Sequence, residues 1–169
     1  DESNLCYRAS QEFFSRLGIT GYSVAIHIDK HIPIAAGLAG GSTDAAAVLL
    51  GLNRLYEAGL DTDELCRLGC RIGADVPFCV KRGISSVRGI GERFKDCTRL
   101  PGCKILIACA GEHISTPWAY KRLDELFDYK RRGAAIGHFT ERLEGGNIRR
   151  IWEGQYNIFQ AAVLPIRDG

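Results

Sequence analysis

The stretch IPIAAGLAGGSTDAAAVLL, from Ile32 to Leu50, carries most of the information about the fold. It predicts a strand that runs into a glycine-rich turn, followed by a buried helix that begins near Ser42. Glycines let the backbone of such a turn approach a ligand closely and take positive φ angles. The free N–H groups and the positive end of the helix dipole would point at the same loop, an arrangement that binds phosphate. The stretch therefore predicts a phosphate-binding loop.

Two better-known phosphate loops do not fit this stretch. No Gly-Lys-Ser/Thr follows the glycines, as a Walker A loop requires, and the Gly-x-Gly-x-x-Gly spacing of dinucleotide-binding loops is absent. The alternative is a tight strand–helix turn whose small residues serve close packing alone. Because three glycines, two hydroxyl groups and a helix start coincide within residues 37–43, phosphate binding is the better interpretation.

A second informative segment is GADVPF, residues 73–78. Pro77 disfavours a helical backbone at Val76, so we predict that Asp75 lies on a constrained, extended loop directly after a helix. An aspartate there either bonds its own backbone, as turn aspartates do, or presents its carboxylate to a substrate. The residues alone leave both interpretations open.

Composition narrows the class of protein. The 169 residues carry 22 basic and 20 acidic side chains, a net charge of +2, so no polyelectrolyte partner is implied. The sequence contains no basic run with interleaved aromatic residues, the pattern that would indicate nucleic-acid binding. It also contains no apolar stretch long enough to span a bilayer. The seven cysteines include no Cys-x-x-Cys pair, and the four histidines lack metal-ligand spacing. We therefore expect reduced thiols and histidines that hold no metal.

Periodicity and turn residues predict the order of elements along the chain. We predict helices over 5–17, 42–56 and 61–73, strands over 21–29 and 104–110, a strand or hairpin over 83–94, and a helix beginning near 115–117. Asp61 and Glu64 match a capping box at the start of the third predicted helix. Pro101 and Gly102 interrupt the pattern, so we place a boundary between a domain over 1–100 and a domain over 101–169.

The pattern Pro-x-x-x-Gly-Leu-Ala-Gly-Gly-Ser-Thr-Asp-Ala-Ala, residues 33–46, resembles the second conserved motif of the GHMP kinases, named after galacto-, homoserine, mevalonate and phosphomevalonate kinases. In that family the loop wraps the triphosphate of ATP, so the resemblance implies ATP and Mg²⁺ as cofactors. The ATP-binding residues that it implies are Pro33, Ile34, Ala35, Ala36, Gly37, Leu38, Ala39, Gly40, Gly41, Ser42 and Thr43. It also implies Ser42 as a Mg²⁺ ligand. The family has glycine where Ala39 stands, a departure that matters if φ is positive there.

Three further segments resemble one branch of the family, the diphosphocytidyl-methylerythritol kinases. The segment GADVPF is similar to a signature of that branch and implies that Asp75 is the catalytic base. The segment GIGE, residues 89–92, resembles the turn that follows the base, and ISTPWAY, residues 114–120, resembles the start of the second domain's first helix. An aromatic ring stacks on cytosine in that branch, and the resemblance assigns this role to Tyr120 with Ile90 as its apolar neighbour. Ordinary helix-face aromatics remain the alternative for Tyr120 and Trp118.

The resemblance implies an α+β, two-domain GHMP kinase fold. Its parts are a ribosomal protein S5 domain 2-like N-terminal domain and a ferredoxin-like C-terminal domain, and we expect both to be incomplete in this chain. The implied reaction moves the γ-phosphoryl group of ATP to the 2-hydroxyl of 4-diphosphocytidyl-2-C-methylerythritol, in the non-mevalonate isoprenoid route. The implied partners are thus a small-molecule substrate, with no nucleic acid and no membrane. A monomer or homodimer in a bacterial cytoplasm or a plastid is expected.

Two alternative functions stay open at this level. The first is another GHMP kinase that acts on mevalonate, homoserine or a sugar. The second is an inactive truncated product that at most binds nucleotide, because the family's first and third conserved motifs are not among these residues. Acceptor turnover distinguishes the first alternative, and nucleotide binding without ADP release would indicate the second.

Overall fold

The computed structural model describes residues 2–33, 36–98, 100–108, 114–126 and 135–164. In chain order its elements are α1 (Leu5–Leu17), α2 (Gly40–Leu55), α3 (Thr62–Ile72), α4 (Val76–Lys81), β1 (Ser85–Arg88), β2 (Arg93–Asp96), α5 (Thr116–Leu126), α6 (Ala135–Glu144), α7 (Ile148–Glu153) and α8 (Phe159–Val163). The chain divides into two compact units, Asp1–Asp96 and Cys97–Gly169. Helices combined with a two-stranded sheet give the α+β class that the sequence predicts.

Helix α1 forms over the predicted residues because local signals at both ends agree. The Asn4 side chain accepts a hydrogen bond from the N–H of Cys6, which caps the first turn. Gly18 follows the last turn with φ of +67°, a left-handed conformation that glycine adopts without steric cost. Between these caps, Phe13 and Phe14 are fully buried and pack edge-to-face with their ring centroids 5.5 Å apart.

The core of the first unit lies among α1, α2, α3 and α4. Its buried residues are Ala9, Phe13, Phe14, Ala45, Ala46, Leu49, Leu52, Leu65, Cys66, Leu68, Ile72, Val76 and Val80. Burying large apolar side chains stabilises the folded state by about 1.5–3 kcal/mol each. Helix α2, which directly follows the glycine-rich turn, is therefore anchored along the face that carries Ala45, Leu49 and Leu52.

Helix α3 starts with the predicted capping box. The N–H of Glu64 donates to Asp61 Oδ1 at 2.8 Å, and the N–H of Asp61 donates to Glu64 Oε2 at 3.2 Å. Gly73 ends the helix in an extended conformation, and its N–H still bonds the carbonyl of Gly69. The predicted span of this helix is confirmed at both ends.

The hairpin predicted over residues 83–94 is also present. Strands β1 and β2 pair antiparallel, with Ser85 opposite Asp96 and Arg88 opposite Arg93. The connecting turn contains Gly89 and Gly91, both with positive φ. Lys81 at the end of α4 forms an ion pair with Asp96 at 3.2 Å, which ties the hairpin to the helix before it.

Four sequence predictions were wrong in detail. Residues 21–29 and the described part of 104–110 form no strand. Helix α2 begins at Gly40, two residues before the predicted start. Val76 is the first residue of helix α4 and not extended, because a proline in the first turn of a helix needs no N–H partner. By contrast, helix α5 begins at Thr116, as predicted, and the carbonyl of Ser115 accepts from the N–H of Ala119.

In the second unit, α5 packs with α8 and α6 packs with α7. Ala119 and Leu123 of α5 and Ala162 of α8 are buried. The Asn147 side chain caps α7 by accepting from the N–H groups of Arg149 and Arg150. The domains over 1–100 and 101–169 stay a prediction. In the part of the chain that the structure describes, no helix has the length and apolarity that a membrane crossing requires.

Candidate active site

The glycine-rich turn leads into the N-terminus of α2. Gly37 has φ of +70° and Ala39 has φ of +51°, so the backbone turns sharply before the helix starts at Gly40. Ala39 occupies the cap position and has no side chain that could accept from the first turn. Because the first turn of any helix lacks intrahelical acceptors, the N–H groups of residues 40–42 are available to an anion. The predicted loop positions Ile34 and Ala35 lie outside the described residues.

Ala39 stands where the family pattern has glycine, and its backbone conformation makes that difference costly. A φ of +51° with ψ of 26° is the left-handed helical region, in which a β-carbon crowds the following carbonyl oxygen. Glycine would adopt this conformation without that cost. The alanine at this position therefore carries local backbone strain at the helix start.

A partly buried ion pair lies beside the glycine-rich turn, and no sequence motif predicted it. Lys30 Nζ forms an ion pair with Asp44 Oδ2, and each side chain is about a quarter exposed. A β-carbon added to Gly40 would lie 2.9 Å from Lys30 Nζ and 3.0 Å from Ile32 Cγ2. A side chain at residue 40 would thus have to displace Lys30 and crowd Ile32, which pack against the backbone of Gly40. No short-range sequence pattern signals a pair of residues fourteen positions apart.

Asp75 occupies the cap position of α4, with φ of −90° and ψ of −14°. Its carbonyl accepts from the N–H of Cys79 at 3.1 Å, but its side chain makes no capping hydrogen bond. The interpretation of Asp75 as a turn aspartate that bonds its own backbone is therefore wrong. Among the described residues, its exposed carboxylate has no hydrogen-bonding or ion-pair partner, so it is free to accept from a substrate hydroxyl.

Helix α4 connects Asp75 to the glycine-rich turn. Helices α2 and α4 pack together, and Thr43 Oγ1 lies 3.6 Å from Cys79 Sγ. Thr43 also donates its hydroxyl proton to the carbonyl of Ala39 at 3.0 Å. The hydroxyl group of Thr43 thus bonds the loop backbone and contacts Cys79 of α4, the helix that follows Asp75. The predicted loop and the predicted base therefore belong to one packed set of helices.

The turn at Gly89–Glu92 lies directly against the segment that carries Asp75. A β-carbon on Gly91 would be 2.0 Å from the carbonyl oxygen of Ala74, which leaves room only for glycine. Glu92 Oε2 accepts from the N–H of Ile90 at 2.6 Å. Hydrogen bonds from the backbone N–H groups of Glu92 itself and of Ile90 lower the pKa of the Glu92 carboxyl. The structure therefore brings together two segments that the sequence identified separately.

The predicted substrate-binding residues are described within their own units. Ile90, in the first unit, is 75% exposed at the tip of the hairpin turn. Tyr120, in the second unit, is 55% exposed, and its ring packs edge-to-face on Phe159 with centroids 5.1 Å apart. Both side chains leave a large apolar surface available to a ligand.

The donor set for a magnesium ion is small. Among the described residues, no group of three or more His, Cys, Asp or Glu side chains is placed to hold a metal. Mg²⁺ in kinase sites is commonly held by one or two carboxylates together with phosphate oxygens, and in P-loop enzymes by a Ser or Thr hydroxyl. The Ser42 hydroxyl, in the first turn of α2, is a hard oxygen donor of this kind and fits that requirement.

Two buried cysteines of the first unit, Cys6 and Cys66, are not activated thiols. Burial raises the pKa of the Cys66 thiol, and the Cys66 thiol donates to the carbonyl of Pro77 at 3.4 Å. Burial likewise raises the pKa of the Cys6 thiol. Since a thiol nucleophile requires a lowered pKa, these sulfurs are structural.

Known proteins resemble the chain throughout its length. The sequence model of the GHMP kinases N-terminal domain matches residues 4–83. The 4-diphosphocytidyl-2-C-methyl-D-erythritol kinase of Caldicellulosiruptor saccharolyticus is 43% identical over 97% of the chain and 56% of that kinase. The kinase of the same name from Lachnospira eligens is 43% identical over 98% of the chain and 57% of that kinase. The one from Listeria welshimeri is 45% identical over 97% of the chain and 55% of that kinase.

A solved structure shows the same fold. The crystal structure of a 4-(cytidine 5'-diphospho)-2C-methyl-D-erythritol kinase matches 96% of the chain and 57% of that protein, with a TM-score of 0.68 and 32% identity. The chain thus spans little more than half the length of the relatives that it matches. The predicted GHMP kinase fold is confirmed by this solved structure, and residues 4–83 are similar to the GHMP kinases N-terminal domain.

Proposed function

We propose that the protein is an ATP-dependent kinase that phosphorylates a hydroxyl group of 4-diphosphocytidyl-2-C-methyl-D-erythritol. The single observation that carries this proposal is the free carboxylate of Asp75, the residue that precedes a helix packed against α2. A base beside a phosphate-binding helix start is what phosphoryl transfer to an alcohol requires. The names of the similar kinases identify the acceptor.

The glycine-rich turn binds the triphosphate of ATP in this proposal. Phosphate oxygens accept from the N–H groups of Gly40, Gly41 and Ser42, which point out of the first turn of α2. Gly37 and Ala39, with their positive φ, direct the backbone so that the phosphates lie along the loop. The ion pair between Lys30 and Asp44 fixes the start of α2 to the segment that precedes the turn.

Asp75 acts on the acceptor in this proposal. Its carboxylate accepts a hydrogen bond from the hydroxyl group, orients the oxygen towards the γ-phosphorus and takes the proton as the new P–O bond forms. The P–O bond to the β-phosphate oxygen breaks, and ADP leaves with that electron pair. A general base in this position typically contributes about 10²–10⁴-fold to the rate.

The cofactor and substrate groups follow from the same geometry. Ser42 would hold Mg²⁺ through its hydroxyl oxygen, together with phosphate oxygens. When bound, Mg²⁺ neutralises negative charge that develops on the transferred group. In the second unit, Tyr120 would stack on the cytosine ring through its exposed ring. In the first unit, the exposed side chain of Ile90 is proposed separately as an apolar substrate contact.

The proposed cellular setting rests on the relatives. The similar kinases come from bacteria, so we place this protein in a bacterial cytoplasm, with a plastid as the other setting that the resemblance allows. Its substrate is a small molecule of the non-mevalonate isoprenoid route, and it acts as a monomer or homodimer.

An acceptor panel tests this proposal. The protein, produced from its own gene, is incubated with ATP, Mg²⁺ and one acceptor at a time, and ADP release is measured. The acceptors are the cytidine diphosphate-linked methylerythritol, mevalonate, homoserine and galactose. We expect turnover with the cytidyl acceptor at least about tenfold above that with any other. Turnover of mevalonate alone, or no ADP release with any acceptor, would contradict the proposal.

A further inference from the structure

The peptide group that precedes Asp75 is in contact with a glycine from a distant turn. A β-carbon built on Gly91 would lie 2.0 Å from the carbonyl oxygen of Ala74 and 2.9 Å from its carbonyl carbon. Gly91 also has φ of +111°, which side chains rarely permit. The carbonyl carbon of Ala74 is bonded to the backbone nitrogen of Asp75, so any shift at Ala74 moves Asp75.

The carboxylate of Glu92 holds the turn that carries Gly91. Its Oε2 accepts from the N–H of Ile90, and its Oε1 lies 2.2 Å from the position that a β-carbon on Gly89 would occupy. The side chain therefore folds back over the turn, where it fills the space above Gly89. Arg93 pairs with the same carboxylate at 3.3 Å.

Asp75 depends on backbone contacts for its position. Its carboxylate makes no bond to any residue that the structure describes, so the side chain contributes nothing to its own placement. On one side, Val76 and Pro77 are buried in the core. On the other side, the Ala74 carbonyl lies against Gly91. The loop is thus held between the hydrophobic core and the hairpin turn.

We propose that Gly91, held in place by Glu92, is a positioning residue that sets the direction of the Asp75 carboxylate. This inference rests on the proposed function, in which Asp75 takes the proton of the acceptor. Gly91 touches neither the nucleotide nor the acceptor in this role; it acts through the peptide group between Ala74 and Asp75.

The variant Gly91→Ala tests the contact directly. Its methyl group would push the Ala74 carbonyl and displace Asp75, and a misplacement of about 1 Å can lower turnover about a hundredfold. We expect kcat to fall by about that factor, while nucleotide affinity stays within about twofold because the α2 start is untouched. Gly83→Ala is the matched control, since Gly83 has φ of +86° but an added β-carbon would meet nothing within 4 Å.

A second pair of variants covers the case in which Gly91→Ala does not fold. Glu92→Ala removes the acceptor for the N–H of Ile90 without adding any atom, and we expect kcat to fall about tenfold. Glu92→Gln keeps a carbonyl oxygen at the same reach, so it should restore most of the lost turnover. Equal loss in both Glu92 variants, or in neither, would overturn the role of Glu92.

A measurement that needs no turnover separates this inference from the proposed function. The backbone amide resonance of Asp75 should shift in Gly91→Ala and Glu92→Ala and stay in place in Gly83→Ala. An unmoved resonance in all three variants overturns the inference, whatever the kinetics show. Asp75→Asn is the kinetic reference: if it retains full turnover the proposed function fails, even where the resonances still establish the positioning contact. If Asp75→Asn is inactive but Gly91→Ala turns over as fast as Gly83→Ala, only the inference fails.

Discussion

Replacing Ala39 by glycine should stabilise the protein, although Ala→Gly substitutions in and around helices usually destabilise. Ala39 has φ of +51° at the cap of α2. A non-glycine residue in the left-handed region costs about 1–2 kcal/mol. Glycine costs about 0.4–1 kcal/mol through the greater entropy of the unfolded chain. The difference predicts that Ala39→Gly raises the free energy of unfolding by about 1 kcal/mol.

The matched control is the same substitution eight residues later in α2. Ala47 is a solvent-exposed residue in the middle of α2, so Ala47→Gly should lower the free energy of unfolding by about 1 kcal/mol. Both variants are measured by urea denaturation, with the midpoint shift converted through a common m-value. Thermal midpoints should move in opposite directions by about 2–4 °C in a protein of this size.

The sign of the Ala39→Gly effect decides the reasoning. If both variants lose stability by similar amounts, residue 39 does not adopt the left-handed conformation and the described geometry of the loop is wrong. If Ala39→Gly gains stability but Ala47→Gly is neutral, the strain at residue 39 stands and the helix-propensity argument for α2 fails.

Three further predictions address the loop, a helix cap and the thiols. Gly41→Val places a branched side chain in the first turn of α2 and should abolish nucleotide binding; unchanged affinity by calorimetry would mean that the loop is only structural. Asp61→Ala breaks the capping box and should lower the free energy of unfolding by about 1 kcal/mol, whereas Asp61→Asn should cost little; equal losses in urea melts would contradict the cap. At pH 8, iodoacetamide should alkylate the exposed Cys103 well before Cys66, because burial raises the pKa of the Cys66 thiol. If mass spectrometry finds the reverse order, Cys66 is not buried.

The helices of the first unit and its hairpin were predictable because their signals are local. Asp61 and Glu64 are three residues apart, and Gly18 follows directly after the last apolar position of α1. Glycines at the hairpin turn have the positive φ that the turn needs. In each case the residues that decide the structure lie within one or two turns of each other, so the local sequence is enough to predict it.

The two strands that were wrongly predicted show that an apolar–polar sequence pattern does not tell whether a partner strand exists. Apolar residues alternate over 21–29, and Lys104-Ile-Leu-Ile is rich in strand-forming residues. A strand exists only where a neighbouring strand accepts its hydrogen bonds, and no described segment pairs with either stretch. The pattern predicts which face would be apolar if a partner were present, but it says nothing about the partner.

The candidate site was half predictable. The glycine-rich turn and Asp75 were identified from short motifs, and their roles stay proposals. The contacts that hold them were not identified, because Lys30 meets Asp44, and Gly91 meets Ala74, only after the chain has folded. The error at Val76 has the same origin: Pro77 disfavours a helical residue before it, but burial of Val76, Pro77 and Val80 in the core outweighs that preference.

The most direct test of the proposed kinase is a comparison of Asp75→Asn with Asp63→Asn. Asp63 is an exposed carboxylate in the first turn of α3, on neither the segment that carries Asp75 nor the glycine-rich turn. ADP release with the cytidine diphosphate-linked acceptor and ATP affinity are measured for both variants and the unmodified protein. We predict that Asp75→Asn loses at least about a hundredfold in kcat with unchanged ATP affinity, while Asp63→Asn keeps both. Near-normal turnover in Asp75→Asn would contradict the account, because no free carboxylate at the start of α4 would then be needed for phosphoryl transfer.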